Sequence, residues 1–421
     1  MIGRSVGRIA IIGGGPVGLS TGLHLAQRGA GERVTIFERD TSYQRCSALL
    51  SAGGIRQQFS LRENILMSKK SVEFLSDLEK RCKDYDINFK RNGYLFLGTS
   101  EEDKAILEAN NRTQREAGVN WIHLAKKDEL SKRFPWLDTS DVIIGSYSAQ
   151  GGEGYFDPWA FLQALRCEAR ELGVTFEKAE VSKADIGEGP DGYTIQALHF
   201  TDRASESFEH VVNCSGAWSG VVFEGLTQGL TEDQREALGK VPIARKKRSV
   251  FSVHCPGTMD CSHPVPPTDT PLTIDPSGVY FRSEGNAPGH FICGVSPSDD
   301  PNCDNDEVLD HVDHDLFYEV IWPQLAERVP AFNELKVQGF WSGFYDTNTL
   351  DHNLIIGKHP DFQNLHTLSG LSGHGLQMAP AAGEAMAEML LGSGGEQSID
   401  LTRFGHERIA RNEGVFETGI V

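Results

Sequence analysis

The stretch Gly13-Gly14-Gly15-Pro16-Val17-Gly18 decides the fold of this chain. It follows the apolar run of residues 8–12, which is typical of a buried parallel strand, and Pro16 suits the first turn of a helix over residues 16–28. Its three spaced glycines permit a tight turn, a close approach of the backbone to a pyrophosphate and close packing of helix on strand. The stretch therefore predicts a strand, a phosphate-binding turn and a helix.

An acidic residue ends the next predicted strand, residues 33–38. Glu38 lies 20 residues beyond Gly18, about the spacing at which a carboxylate binds the ribose hydroxyls of a dinucleotide. An acid at this position argues against a 2′-phosphate on the ligand. The amino-terminal βαβ unit thus predicts a dinucleotide site, and on its own it leaves NAD and FAD both open.

Composition excludes several other classes of protein. The chain has 421 residues, of which 39% are hydrophobic and 24% charged, which is typical of a soluble globular protein with more than one lobe. Its formal charge of -19 repels phosphate backbones, so nucleic acid is not an expected partner. No apolar run approaches the roughly 20 residues of a membrane-spanning helix, and residues 1–7 predict no signal or transit peptide in this sequence.

The eight cysteines fall at irregular spacings with no CxxC pair, which predicts reduced thiols. His254-Cys255 with Cys261-Ser262-His263 is the tightest cluster, and it contains residue types that bind metals. Its spacing fits no common zinc pattern. The pattern favours a loop with incidental thiols, and no metal site is predicted.

Further elements follow along the chain. Asp157 is a predicted N-cap with Pro158 at the first helical position. The other predicted elements are a helix over 157–172, strands over 174–177 and 209–213, a small antiparallel sheet between 193 and 213, strand-like segments over 246–294, a helix over about 306–329, a strand over 365–370 and a helix over 376–391.

The βα units at both ends, with strand-rich segments between them, predict one nucleotide domain interrupted by insertions. The fold class is α/β, with a Rossmann-like dinucleotide-binding domain and a second α+β lobe on a mainly antiparallel sheet. We expect residues 1–90, 150–225 and 340–421 in the discontinuous nucleotide domain and residues 91–149 and 226–339 in the second lobe.

Two further motifs distinguish FAD from NAD. The stretch Val211-Val212-Asn213-Cys214-Ser215-Gly216-Ala217-Trp218-Ser219 resembles the second flavin motif of the D-amino-acid oxidase superfamily, which includes glycine oxidase, sarcosine oxidase and dimethylglycine dehydrogenase. Gly370-Leu371-Ser372-Gly373-His374-Gly375-Leu376-Gln377 resembles its carboxy-terminal motif. In that superfamily the last helix points its N-terminus at the flavin, whose reduced ring it stabilises. Read alone, Gly373-His374-Gly375 is a turn before a helix; three motifs in order predict FAD in a glutathione-reductase-type domain.

A closer likeness covers nearly the whole chain. Residues 51–60, 275–282, 322–325, 328–332, 343–346 and 372–380 resemble a mitochondrial family of FAD-dependent oxidoreductase domain-containing proteins implicated in assembly of respiratory complex I. The resemblance implies a mitochondrial location, and complex I subunits or assembly factors as partners.

The motifs and the resemblance together give the expected cofactor contacts. The expected FAD-binding residues are Gly13, Gly15, Pro16, Val17, Gly18, Glu38, Arg39, Ser47, Gly54, Ile55, Val181, Ser215, Gly216, Trp218, Gly373, His374, Gly375, Leu376 and Gln377.

The resemblance also implies a reaction, the removal of a hydride from the carbon beside an amine nitrogen. Arg56 lies where sarcosine oxidases keep a carboxylate-binding arginine, and a guanidinium can hold a carboxylate by two hydrogen bonds. The alternative is a surface arginine at a helix entry. Arg282 and Tyr345 are candidates for the wall of the site, or else a structural pair and a core tyrosine. His374 and Gln377 complete the predicted catalytic set.

Departures from the superfamily pattern qualify this reaction. Sarcosine oxidases attach the flavin through a cysteine in the segment that corresponds to residues 341–351, and dimethylglycine dehydrogenases through a histidine in the segment that corresponds to residues 46–56. Neither residue is present in these segments here, so noncovalent FAD is expected. Residues 290–294 lack the lysine that sarcosine oxidases use for oxygen, and Gln377 replaces their other lysine. The sequence favours a dehydrogenase of an amine or N-methyl amino acid; the alternative is an assembly scaffold in which FAD is mainly structural.

Overall fold

The computed structural model describes residues 7–148, 151–258, 263–297, 301–392 and 398–419. Its strands are β1 (Ile9–Ile12), β2 (Val34–Glu38), β3 (Gly54–Ile55), β4 (Tyr94–Gly98), β5 (Ile122–Lys126), β6 (Ile144–Ser148), β7 (Gly154–Tyr155), β8 (Thr175–Lys178), β9 (Val181–Gly189), β10 (Gly192–Phe200), β11 (His210–Asn213), β12 (Ile243–His254), β13 (Leu272–Ile274), β14 (Tyr280–Ser283), β15 (His290–Gly294), β16 (Lys336–Asn348), β17 (Ile355–Lys358) and β18 (Leu365–Ser369).

The helices lie mainly around the first half of the chain and at its end. The α-helices are α1 (Pro16–Leu25), α2 (Arg62–Arg81), α3 (Glu101–Glu116), α4 (Lys127–Arg133), α5 (Pro158–Glu171), α6 (Ser219–Leu226), α7 (Glu232–Leu238), α8 (Trp322–Arg328), α9 (Gly375–Leu391) and α10 (His406–Arg411). Shorter turns of π-helix cover Ala26–Ala30 and Leu316–Ile321, and shorter turns of 3-10 helix cover Gly31–Arg33, Gly216–Trp218, Asp306–Asp310, Pro330–Glu334 and Thr402–Phe404.

The first sheet confirms the predicted Rossmann-like core. Its strand order is β17-β18-β11-β1-β2-β8, with β1 parallel to β2 and to β11 and only β17 antiparallel to its neighbour. The first strand is fully buried because α1, α5 and α9 pack on one face of the sheet while the β9–β10 hairpin and α6 cover the other. Both ends of the chain therefore build one layer of helices.

The second sheet matches the predicted antiparallel lobe. Its order is β16-β12-β15-β14-β13-β4-β6-β5, and only the β13–β4 pair is parallel. Strand β16 pairs with β12 from Ile243 to His254 and runs across the boundary predicted at residue 340. The division of the chain into two lobes stays a prediction.

Two predicted elements are corrected by the structure. The small antiparallel sheet begins earlier than predicted, because β9 pairs with β10. A single helix over residues 306–329 is wrong: the segment contains a 3-10 turn, a π turn and then α8. Asp306 and Asp310 are ion-paired with arginines of another segment, which fixes the path of the chain, and the helical run is interrupted at residues 311–313. Pro323 lacks the N–H of a regular α-helical hydrogen bond, which fits the π turn that precedes it.

Two findings bear on partners and metals. None of the described helices is long and apolar enough to cross a membrane. Within the described ranges no group of three or more His, Cys, Asp or Glu side chains is placed to hold a metal ion. Cys261 and Ser262 of the predicted loop cluster lie outside the described residues, while Cys255 is buried and its Sγ lies 3.2 Å from the carbonyl oxygen of Ala331.

Buried histidines predict a loss of stability in mild acid. Burial lowers the pKa of His24, His359 and His366 to about 4, whereas unfolded histidine titrates near pH 6.5. The unfolded chain therefore binds these protons first, so the stabilisation is present above pH 6.5 and is lost as the pH falls towards 4. We expect the free energy of unfolding, measured with urea, to fall by roughly 1–2 kcal/mol per histidine from pH 7 to pH 5.

The substitution His24→Leu supplies the control for this pH dependence. It removes one titrating group and keeps an apolar side chain against Phe74, whose ring lies 5.6 Å from the imidazole. The variant should lose stability less steeply between pH 7 and pH 5 than the parent protein. An unchanged slope would show that His24 does not contribute.

Candidate cofactor and substrate site

The turn between β1 and α1 is built by the predicted glycines. A Cβ on Gly13, whose φ is +105°, would lie 2.5 Å from the carbonyl oxygen of Cys214, and one on Gly18 would lie 2.0 Å from that of Gly13. A Cβ on Gly15 would meet only the Cys46 Sγ, at 4.0 Å. Gly13 and Gly18 are therefore required by packing, whereas Gly15 leaves space for a ligand to approach the backbone.

The start of α1 is suited to phosphate. Gly15 is its N-cap, Pro16 follows, and no side chain caps the helix. The first N–H groups and the positive end of the helix dipole are thus available to an anion.

Glu38 lies beside this turn at the end of β2. Its Oε2 accepts the backbone N–H of Gly14 at 2.8 Å, and its Oε1 accepts that of Asp40 at 2.9 Å. Burial raises the pKa of Glu38. The carboxyl group is thereby fixed where the sequence placed a ribose contact.

A cavity of about 780 Å³ runs from this turn to the start of α9. Fourteen of the predicted FAD-binding residues line it, together with Tyr345: Gly13, Gly15, Pro16, Val17, Glu38, Arg39, Ser47, Val181, Ser215, Gly216, Trp218, Gly373, Gly375 and Leu376. The other predicted residues are not part of this lining: Gly18, Gly54, Ile55, Arg56, Arg282, His374 and Gln377.

Three of the predicted residues that do not line the cavity pack beneath residues that do. Gly18 packs against the carbonyl oxygen of Gly13 in the turn. Gly54 and Ile55 form β3, which pairs with β7, and a Cβ on Gly54 would lie 1.9 Å from the Tyr94 hydroxyl. These glycines shape the site by packing.

The carboxy-terminal motif forms a turn of unusual backbone conformation before α9. Ser372 and Gly373 both have positive φ, +49° and +91°, and a Cβ on Gly373 would lie 2.3 Å from the Tyr345 ring. His374 is the N-cap of α9 and makes no side-chain cap. A second uncapped helix start therefore lines the same cavity as the first.

Asp346, which sequence reasoning missed, holds this turn. Its Oδ2 accepts the backbone N–H groups of Gly370 at 2.9 Å and Leu371 at 3.0 Å. Burial raises the pKa of its carboxyl to about 6. In the sequence, the one signal for a role of Asp346 in the site was its position directly after Tyr345.

Arg56, His374 and Gln377 are brought together. The Gln377 Oε1 accepts the backbone N–H of Arg56 at 2.9 Å, and an Arg56 Nη2 lies 3.0 Å from the His374 Nε2. The rings of Phe59, Tyr94 and Phe96 surround the guanidinium at 4.9–5.7 Å, which leaves Arg56 6% exposed. The alternative of a surface arginine is thus excluded, and the start of α9 is in direct contact with Arg56.

A buried acid fixes the residues after Arg56. Glu153 accepts the backbone N–H of Gln57 at 2.7 Å and the side-chain amide of Gln58 at 2.9 Å. Burial raises the pKa of Glu153, and the charge of Arg56 opposes that rise. No sequence motif marked this acid, which lies about one hundred residues away from its partners along the chain.

Arg282 has structural partners. Its Nε donates to the carbonyl oxygen of Ala52 at 2.8 Å, its guanidinium stacks on the Tyr155 ring at 3.8 Å, and it is paired with Glu284. It supports the loop before β3 from the second sheet. Tyr345 is different, because its ring lines the cavity and has Arg248 4.8 Å above it.

These features fit a dinucleotide of the FAD type. One cavity is lined by two uncapped helix starts, by Gly15, whose Cβ position is open, and by the fixed carboxyl group of Glu38. One helix start suits the pyrophosphate, and the other suits a ring that gains negative charge on reduction.

Comparison with known proteins agrees with this reading. Residues 8–389 match the family model described as DAO, FAD dependent oxidoreductase, so the chain belongs to this family of FAD-dependent oxidoreductases. More closely, it is 41% identical over 440 residues to FAD-dependent oxidoreductase domain-containing protein 1 of Xenopus laevis, covering 98% of this chain and 84% of the relative. FAD is the cofactor of the family.

More distant similarities are to proteins named for amine substrates. Monomeric sarcosine oxidase of Bacillus sp. (strain B-0618) is 22% identical over 98% of both chains. The crystal structure of L-proline dehydrogenase from P. horikoshii is 25% identical with a TM-score of 0.80, covering 98% of this chain and all of that one. The fold class is thereby confirmed.

Two glycine substitutions should separate folding from cofactor binding. Gly18→Ala places a methyl group against the Gly13 carbonyl and should destabilise the protein without FAD by about 2 kcal/mol or more. Gly15→Ala should leave that stability unchanged, since its Cβ has room, and should weaken FAD binding by roughly tenfold or more by blocking the pyrophosphate. Thermal unfolding of the FAD-free protein and FAD titration measure the two effects.

The contrast between the variants is the informative result. Equal loss of apoprotein stability in both would contradict the packing argument. Unchanged FAD affinity of Gly15→Ala would place the pyrophosphate elsewhere.

Proposed function

We propose that this flavoprotein is a dehydrogenase that oxidises the C–N bond of an amine or N-methyl amino acid. The observation that carries the proposal is the contact between Arg56 and His374. It places a buried guanidinium at the start of α9, whose first residues line the FAD cavity. Sarcosine oxidase and proline dehydrogenase, similar to this chain, are named for amines that also carry a carboxylate.

The chain's own residues would bind and orient such a substrate. Bound FAD supplies the hydride acceptor. Arg56 would hold the substrate carboxylate, Tyr345 would form an aromatic wall, and the uncapped start of α9 would stabilise negative charge at its end of the cavity. The aromatic rings around Arg56 exclude water, which strengthens the attraction of its charge for a carboxylate.

The position of Gln377 favours a dehydrogenase over an efficient oxidase. Its side-chain oxygen accepts the N–H of Arg56, a role that a protonated lysine cannot fill because it has no acceptor. Strand β15, His290–Gly294, likewise presents no lysine.

Substitution of Arg56 tests the proposed substrate site. In anaerobic mixing with a panel of amines, Arg56→Leu should reduce flavin bleaching by carboxylated amines by about 10–100-fold, the value of a charge-assisted hydrogen bond. Arg56→Lys should retain part of the rate. Arg81→Leu, which removes a surface ion pair with Glu168, is the control and should behave as the parent protein. No bleaching by any amine would contradict the proposal.

A second candidate function is an assembly scaffold with FAD in a mainly structural role. The guanidinium of Arg56 is enclosed by three rings and does not line the FAD cavity, which would suit a site with little turnover. By its resemblance to the mitochondrial family, its partners would be subunits or assembly factors of respiratory complex I, and its location would be the mitochondrion.

Affinity purification from mitochondria tests this second function. If the protein is a scaffold, the tagged parent chain and the tagged Arg56→Ala variant should retain complex I proteins equally well. Loss of those proteins with Arg56→Ala, but not with Arg81→Leu, would contradict a purely structural role. Absence of the tagged chain from mitochondria would contradict the location.

A further inference from the structure

Residues 302–310, here called the acidic strap, run along the outside of the FAD cavity. The strap is anchored on β12 of the second sheet, where the backbone N–H of Cys303 donates to the carbonyl oxygen of Arg245 at 2.9 Å and the Arg245 side chain donates to the carbonyl oxygen of Asp304. It ends in the 3-10 turn Asp306–Asp310. The strap therefore connects the second sheet to the wall of the cofactor cavity.

Asp306 is the centre of the strap's contacts. Its carboxylate accepts hydrogen bonds from the Arg39 guanidinium at 3.2 Å, the Trp218 Nε1 at 3.2 Å and the Arg245 guanidinium at 2.9 Å. Arg39 and Trp218 both line the FAD cavity, and the Arg39 guanidinium stacks on the Trp218 ring at 4.4 Å. One side chain of the strap thus fixes two wall residues from different segments of the nucleotide-binding core.

Two more contacts extend this attachment. Asp310 accepts a hydrogen bond at 2.7 Å from Arg45, another residue of the cavity wall. Between the two acids, Leu309 is buried in an apolar cluster with Ala217 and Phe344. The cavity wall is therefore held by charge at both ends of the turn and by apolar packing between them.

We propose that Asp306 and Asp310 are positioning residues of the FAD site, through which the acidic strap slows the release of noncovalently bound FAD. The residues that attach flavin covalently in related enzymes are missing from residues 46–56 and 341–351, so retention depends on the cavity wall. On this proposal, release of FAD requires the wall side chains to move apart. The strap ties three of these side chains, Arg39, Arg45 and Trp218, to the second sheet, so its ion pairs must break for that movement.

Release of FAD from the holoprotein tests this proposal. Asp306→Asn and Asp310→Asn keep the shape of each side chain and remove its charge, and free FAD in a spin-filter filtrate is measured over time after dilution. Release should be roughly fivefold faster for Asp306→Asn, the loss of about 1 kcal/mol of pairing, and less accelerated for Asp310→Asn, which has a single ion pair. Asp304→Asn is the matched control, since only its backbone carbonyl contacts Arg245.

The outcomes separate a role in FAD retention from a role in folding. The unfolding temperature of the FAD-free protein should fall by no more than about 2 °C in Asp306→Asn and Asp310→Asn, since the same ion pairs are present without FAD, and should be unchanged in Asp304→Asn. Asp306→Glu, which keeps the carboxylate, should release FAD more slowly than Asp306→Asn, a rescue that a general loss of structure would not produce. Equal release rates for Asp306→Asn, Asp304→Asn and the parent chain would overturn the proposal, as would FAD that stays attached after denaturation in acid.

Discussion

The close contact between α1 and α9 is the constraint on which the site depends. A Cβ on Gly383 of α9 would lie 2.7 Å from both the Ser20 hydroxyl and the Thr21 backbone nitrogen of α1, so the two helices approach at a distance that only glycine permits. Because they pack side by side on the same sheet, their N-termini open onto one cavity. Without this packing, the N-terminus of α1 at the phosphate site and the N-terminus of α9 at the ring site would not face a shared cavity.

The sequence predicted the nucleotide-binding core well because its signals are local. The strand, turn and helix around Gly13 follow from neighbouring residues, as does the helix after Asp157, whose side chain accepts the predicted N-cap hydrogen bonds. The segment 306–329 could not be predicted in this way. Its path follows ion pairs with Arg39 and Arg45, residues more than 250 positions away, which have no signature in the local pattern.

The candidate site shows the same division. Glycines and the Glu38 carboxyl could be assigned from spacing, since backbone geometry and charge determine their use. Asp346 and Glu153 could not, because each is a buried acid that accepts backbone N–H groups from another segment of the chain. Arg282 was a candidate for the substrate wall with a structural pair as the alternative, and the structure gives it Ala52 and Glu284 as partners. A residue type identifies the chemistry of a site only when the fold also leaves that residue directed towards the ligand.

The contact between the two ends of the chain also has a consequence for biosynthesis. Ser20 and Pro380, which meet across α1 and α9, are separated by 360 positions, and contacts at such separation form late in folding. A ribosome that has released only the first three hundred residues has produced the phosphate-binding turn without the helix that completes the cavity. The cavity for FAD is therefore complete only once α9 has been made, and a truncation that removes α9 would leave every earlier motif intact yet without the full pocket.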